Sequence, residues 1–236
     1  MLALTHYIPI LTTLLSATFG SIVLGRYRSR RDRPHLAWWA IGIYIYGLGT
    51  LTESLVTLFG WSPLVFRAWY ISGALLGGVP LAQGSVYFHF TRRTANRMTA
   101  VVVPYIALAA LAVCLTPLDA SLAEPHRLSG RVMVWHWVRL LSPLINLYAV
   151  VFLVGTAIMS AVRYARQQAP SNFVIGNALI AAGAILPGIG GAFTRLGYVE
   201  VLYVGEFLGL LMIWQGYRLC TRPLTAARST IPAAAV

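Results

Sequence analysis

Apolar residues along this chain gather into long, nearly unbroken blocks, separated by short bursts of Arg, Pro, Asn and Ser. A helix needs about 20 predominantly apolar residues to cross a hydrocarbon core of about 30 Å. Seven blocks meet that length, at roughly 3–25, 36–59, 67–90, 98–117, 138–162, 173–194 and 198–218. The connectors, such as Arg26 to His35, Thr91 to Arg97 and Arg163 to Asn172, are too short to hide a second domain. The pattern predicts an all-α, polytopic bundle of seven transmembrane helices over residues 1–218, followed by a short basic tail, 219–236.

Composition points the same way. Of 236 residues, 58% are hydrophobic and 10% charged, with a mean hydropathy of +0.72, so charged side chains are too few to cover a water-soluble surface. The charge is lopsided: 18 basic residues, all arginine, face six acids, for a net charge of +12. Thirteen of the arginines fall in the tail and in the connectors after spans 1, 3 and 5, and five on the opposite side. Basic residues near span ends are retained in the cytoplasm, so the N-terminus is expected outside and the C-terminus inside. Residues 1–10 carry no Arg and the Arg cluster follows the apolar run, the pattern of a retained first span rather than a cleaved signal. Arginines spread over four segments without interleaved aromatics argue for anionic lipid head groups and against nucleic acid. Heavy use of Arg, Ala and Gly without Lys fits a high-GC bacterial genome, which makes the cytoplasmic (inner) membrane the expected location.

Small residues suggest how the helices pack. Span 3 contains Gly73-Ala74-Leu75-Leu76-Gly77, continued by Gly84. A stripe of this kind lets helix backbones approach closely, so span 3 is expected to be central, with Gly73, Gly77 and Gly84 facing a neighbouring helix of the same chain and Pro80 kinking it. Span 6 carries Pro187-Gly188-Ile189-Gly190-Gly191, a run that predicts either a loosened helix lining a cavity or an early helix end.

Ionisable residues inside the membrane are the strongest functional signal, because a charge there costs at least about 2.5 kcal/mol. Glu206 falls near the middle of span 7, with Tyr203 one turn away; Glu53, Arg67, Asn146, Arg195 and Glu200 fall in the same outer half. Together they could line a polar pocket in which an arginine grips an anionic ligand and Glu206 or Glu53 binds a proton or cation. The plainer alternative pairs Glu53 with Arg67 and Glu200 with Arg195 around short turns. That alternative leaves Glu206 to be protonated or partnered, for instance by a tyrosine. His35 and His89 sit at matching inner depths and are weak candidates for a metal or haem. No catalytic constellation is visible, so an intramembrane enzyme is the least favoured class. A lysine-linked retinal pigment is excluded, since the chain has no lysine.

One stretch has a familiar layout: an Arg-rich connector, Trp38-Trp39-Ala40-Ile41-Gly42, Glu53 late in span 2, a short turn at Trp61, and Arg67-Ala68-Trp69-Tyr70-Ile71-Ser72-Gly73 opening span 3. It resembles the N-terminal seven-helix sensory regions attached to some bacterial histidine kinases, over about spans 2 to 4, and the resemblance transfers no ligand and no functional residue. It departs in having only residues 219–236 after span 7, too few for an output domain, so a sensory role calls for a separate protein partner in the membrane. The expected function is a receptor-like module with an outer pocket for a small molecule or ion. The alternatives are a solute or proton carrier built on Glu206, and a non-catalytic subunit scaffolding a larger complex.

Overall fold

The computed structural model describes residues 4–124 and 127–222, except for the side chain of Arg195. Beyond residue 222 the expected basic tail lies outside the described residues. Among the described residues seven helices are long and apolar enough to cross a membrane: Leu4–Ser29, Pro34–Phe59, Pro63–His89, Arg92–Leu115, His136–Arg166, Ser171–Thr194 and Val199–Thr221, here spans 1 to 7. The chain is an all-α, multi-pass membrane protein. Span 4 starts six residues before the apolar block does, because the Thr91 hydroxyl caps it by accepting from the Thr94 amide at 3.3 Å. Apolar length reports hydrocarbon thickness, whereas the helix itself continues into the arginine-rich connectors.

Spans 1, 2, 3, 5, 6 and 7 pack in that order, and span 7 closes back onto span 1; span 4 lies outside, against span 3. Span 2 is the most enclosed of the seven. The apolar centre joins Phe19 and Val23 of span 1, Ile43 and Tyr46 of span 2, Leu81 and Ala82 of span 3, and Leu210 and Ile213 of span 7.

The closest helix approach lies between spans 6 and 7, where glycines face backbone at seven-residue intervals. A Cβ on Gly183 would stand 2.5 Å from the Gly209 carbonyl oxygen, one on Gly190 2.5 Å from Leu202 Cα, and one on Gly176 2.9 Å from the Gly216 carbonyl oxygen. Span 7 reciprocates: a Cβ on Gly209 would lie 2.6 Å from the Gly183 carbonyl oxygen and one on Gly205 3.0 Å from that of Leu186. Such contact substitutes for hydrophobic transfer, which does not drive helix association in lipid. It also corrects the expected break in span 6. Ser171–Arg195 is helical through Pro187, and its glycines serve close packing rather than a hinge. Pro187 lacks the amide that would bond the Gly183 carbonyl, and Gly209 packs against that carbonyl.

Span 3, in contrast, is broken. It is α-helical over Pro63–Trp69, π-helical over Tyr70–Leu75, turns at 76–78, and resumes as an α-helix at Val79. The expected single glycine stripe is therefore split. A Cβ on Gly49 of span 2 would lie 3.3 Å from Gly73 Cα, Gly84 lies against the Trp39 ring, and Gly77 folds onto the Gly73 carbonyl within the break. Pro80 is not the cause of a kink in a continuous helix. It occupies the first turn of the resumed helix, where no amide is required. A second π-helical segment, Val150–Gly155, interrupts span 5.

The connector between spans 4 and 5 folds over the end of the bundle where span 1 begins. Leu128, Val132, Met133 and Val138 are buried there against Phe66, Tyr70 and Val113. Asp119 accepts from the Ser121 amide and hydroxyl at 2.9 and 2.6 Å, which holds its carboxyl below the usual carboxylate range. Arg127 pairs with Glu124 at 3.2 Å and donates to the Thr194 carbonyl, tying this cap to span 6.

The span 6–7 contact predicts opposite outcomes for glycines in one helix. Gly183→Ala places a methyl against backbone and should lower stability by about 1–3 kcal/mol. Nothing lies within 4 Å of a Cβ on Gly188 or Gly191, so Ala there should be neutral or stabilising by up to about 1 kcal/mol. Thermal unfolding in detergent reads both; equal effects would contradict the close approach.

Candidate functional site

Span 2 presents Tyr46, Thr50, Glu53 and Thr57 at spacings of four, three and four residues, one face of a helix. Glu53 is only 2% exposed. One of its oxygens, Oε1, accepts from the Trp69 indole N–H of span 3 at 3.0 Å. Its carboxyl also lies within hydrogen-bonding reach of the Glu206 carboxyl of span 7. Glu53 Oε2 and Glu206 Oε2 are both buried and receive no donor from any other group. An ionised carboxylate only accepts hydrogen bonds, so a bond between two carboxyls requires a proton on one of them. Two turns along span 2, the Tyr46 hydroxyl donates to the Glu206 backbone carbonyl at 2.9 Å, fixing the two helices in register.

Above the pair, toward the end where the chain starts, Tyr203 is buried one turn from Glu206 and within electrostatic reach of both carboxyls. The His6 ring stands edge-on to Tyr203 at 5.7 Å, and the Thr57 hydroxyl donates to the His6 carbonyl at 3.1 Å. His6 Nδ1 and Thr5 Oγ1 are also buried without partners. Below the pair, toward the arginine-rich end, the apolar centre of Phe19, Ile43, Leu210 and Ile213 closes the space.

The other sequence candidates lie elsewhere. Arg67 does not pair with Glu53. It donates to the carbonyls of Val113 at 2.6 Å, Cys114, and Thr116 at 3.0 Å, capping the C-terminus of span 4. The end of that helix offers three unpaired acceptors, which a single carboxylate cannot match. Asn146 of span 5 donates to the Ala74 carbonyl at 3.2 Å, in the π-helical segment of span 3. Glu200 is half-buried at the start of span 7 and acts on Tyr203; the Arg195 side chain lies outside the described residues, so their expected pairing does too. Of the candidates, then, Glu53, Tyr203 and Glu206 come together, and Arg67 and Asn146 stay apart. The carboxyl that faces Glu206 is that of Glu53, and the Tyr46 hydroxyl binds the Glu206 backbone.

At the arginine-rich end, His89 engages the Ser85 carbonyl at 3.0 Å and the Ser160 hydroxyl at 2.9 Å through its two ring nitrogens. His35 stacks edge-on to Trp39 and Phe88. Among the described residues no three His, Cys, Asp or Glu side chains are grouped closely enough to hold a metal ion. Sequence reasoning missed Tyr46, Trp69 and His6. The signal for Tyr46 was its position seven residues before Glu53. Trp69 lies near the start of span 3 and His6 near the start of span 1, positions at which neither side chain signals a contact with the acids.

No family model, curated protein or solved structure matches the chain.

Because Arg67 serves the end of span 4 and not the acid pair, Arg67→Gln should lower stability by about 2 kcal/mol through lost charge-assisted bonds. It should leave the infrared carbonyl stretch of the protonated carboxyl unchanged. Loss of that band in Arg67→Gln would show the arginine to be coupled to the pair.

Proposed function

We propose that the chain is a membrane sensory module in which the Glu53–Glu206 pair reads an external stimulus and spans 2, 3 and 7 carry the response to a separate protein partner. The observation that carries this reading is the pair itself: two acids that face each other across spans 2 and 7, with Glu53 held by the Trp69 indole of span 3. Any change in its charge alters contacts of three helices at once. Trp69 immediately precedes the π-helical segment of span 3, and that segment is bonded to span 5 through Ser142 to the Tyr70 hydroxyl, 3.1 Å, and Asn146 to the Ala74 carbonyl. Interrupted helices of this type recur at functional sites.

The arginine asymmetry supports an external N-terminus and a cytoplasmic arginine-rich end, in a bacterial inner membrane. The pair then faces outward, and the resemblance to kinase-linked sensory helices is one of layout. A carrier needs access from both sides, and the apolar centre below the pair counts against it. A pure scaffold gives no reason for two acids in the interior.

The test is the separation of spans 2 and 7 at their arginine-rich ends. With Cys114 and Cys220 replaced by Ser, spin labels at the exposed Ile41 and Arg218 report it by pulsed electron resonance. Glu53→Gln and Glu206→Gln should each shift the distance by about 1–2 Å, the scale of signalling helix shifts. Unchanged distances in both variants, with solute accumulation by proteoliposomes, would replace the sensory reading with a carrier.

A further inference from the structure

We propose that the stimulus is the proton itself, reaching the Glu53–Glu206 pair from the end of the bundle where the chain begins, past His6 and Tyr203. The proposal rests on the reading of the pair as the responsive centre and names its ligand.

The surroundings of the pair fit a proton better than any larger ligand. Divalent calcium and magnesium ions take six or more oxygens, and here the Thr50, Thr57 and Tyr46 hydroxyls of span 2 are already engaged. Thr50 is bonded to Thr13 at 2.9 Å, Thr57 donates to the His6 carbonyl, and Tyr46 donates to the Glu206 carbonyl. The Trp69 N–H points at Glu53 Oε1 and would oppose a cation there. Glu53 Oε2 and Glu206 Oε2 are buried without any other donor, and they suit one shared proton and, on neutralisation, a second.

The groups facing the pair set its charge. Span 1 contributes His6, edge-on to Tyr203; span 2, Tyr46, Thr50 and Thr57; span 3, Trp69; span 7, Tyr203, on which Glu200 also acts. Arg127, the cation on this side, acts on Tyr203 and is bonded to Glu124 and the Thr194 carbonyl. With one proton the pair carries a charge of −1 in the membrane interior, which a low-dielectric medium penalises heavily. A proton taken from water onto the ionised carboxylate leaves two neutral carboxylic acids. The proton's donor is hydronium: one of its O–H bonds breaks as the carboxyl O–H bond forms, and water is released. The Trp69 indole then donates to a neutral oxygen rather than a charged one, and its bond weakens beside the interrupted segment of span 3.

His6 supplies the entry. It is 9% exposed, its Nδ1 lacks a partner, and it stands between the end of the bundle and the buried Tyr203 ring. An imidazole can take a proton on one nitrogen and release one from the other. The apolar centre below the pair closes the path to the arginine-rich end, so the proton returns by the way it came.

Infrared titration of the wild-type protein in lipid nanodiscs tests this. As the pH falls, the high-frequency carbonyl stretch of a buried protonated carboxylic acid, distinct from that of the other four acids, should grow and should shift in D2O. Replacing sodium by choline at constant ionic strength should leave it unchanged. Glu53→Gln and Glu206→Gln should each lose the pH-dependent part; circular dichroism establishes that they fold, and the wild-type titration stands without them. His6→Ala retains the carbonyl that Thr57 uses and should slow deuterium exchange of the band while keeping its amplitude. A band that stays constant across the pH range in which the fold survives would overturn the proposal, as would one that follows sodium rather than pH. Exchange unaffected by His6→Ala would overturn the entry route. A band that titrates while the Ile41–Arg218 distance stays fixed would uphold the proton site and refute the sensory reading. A distance that moves in the Gln variants while the wild-type band never titrates would uphold the sensory reading and refute the proton.

Discussion

Inside a bilayer no water is present to take up a polar group that the protein leaves over, so each one must find a partner within the chain. The architecture can be followed from that constraint. The carbonyls at the end of span 4 are taken by Arg67, and the Ala74 carbonyl of the π-helical segment by Asn146. The deeply buried Gln83 is satisfied by Thr99, the Ala95 carbonyl and the Tyr148 hydroxyl. Glu53 Oε1 is met by the Trp69 indole, and the Oε2 atoms of Glu53 and Glu206 are left without a donor from any other group.

The seven spans were legible because the bilayer sets a length that no connector in this chain imitates. The details of the helices were less so. A Pro-Gly-Ile-Gly-Gly run is compatible with a loose helix and with a tightly packed one, since the same missing side chains that free a backbone also let a neighbour approach. What decides between them is the partner surface. Gly205, Gly209 and Gly216 lie in span 7, and their facing of Gly183 and Gly176 is a tertiary fact. The π-helical segments of spans 3 and 5 left no sequence mark either: Tyr70–Leu75 and Val150–Gly155 read as ordinary apolar turns.

At the site, depth was legible and rotation was not. Counting residues from the span ends places Glu53 and Glu206 in the same half of the membrane, but only the packing order, with span 7 closing onto spans 1 and 2, turns them toward each other. Proximity in sequence misled in the case of Arg67. It lies a short turn from Glu53, yet the end of span 4 and the folded connector after it draw the guanidinium the other way. Trp69 illustrates a second limit. An indole near a span end is ordinarily an interfacial anchor, and its hydrogen bond to a carboxylate emerges only once span 3 is seen to pack on span 2.

The fold itself does not call for the acids. A buried polar pair is replaced by well-packed apolar side chains of similar volume at little cost and often with a gain, and the glycine contacts of spans 6 and 7, the apolar centre and the capping connector hold the bundle without reference to the carboxyls. Tyr46 already fixes the register of spans 2 and 7 through a neutral bond to backbone. An arrangement that is dispensable for packing, expensive in desolvation and connected through Trp69 to an interrupted helix has the properties of a two-state element rather than a brace. Its energy depends on charge, a quantity that the solution outside can change, while the energy of its surroundings does not. On the proposed sensory reading, that difference in dependence would let a single buried interaction shift one helix against its neighbours while the rest of the bundle stays in place.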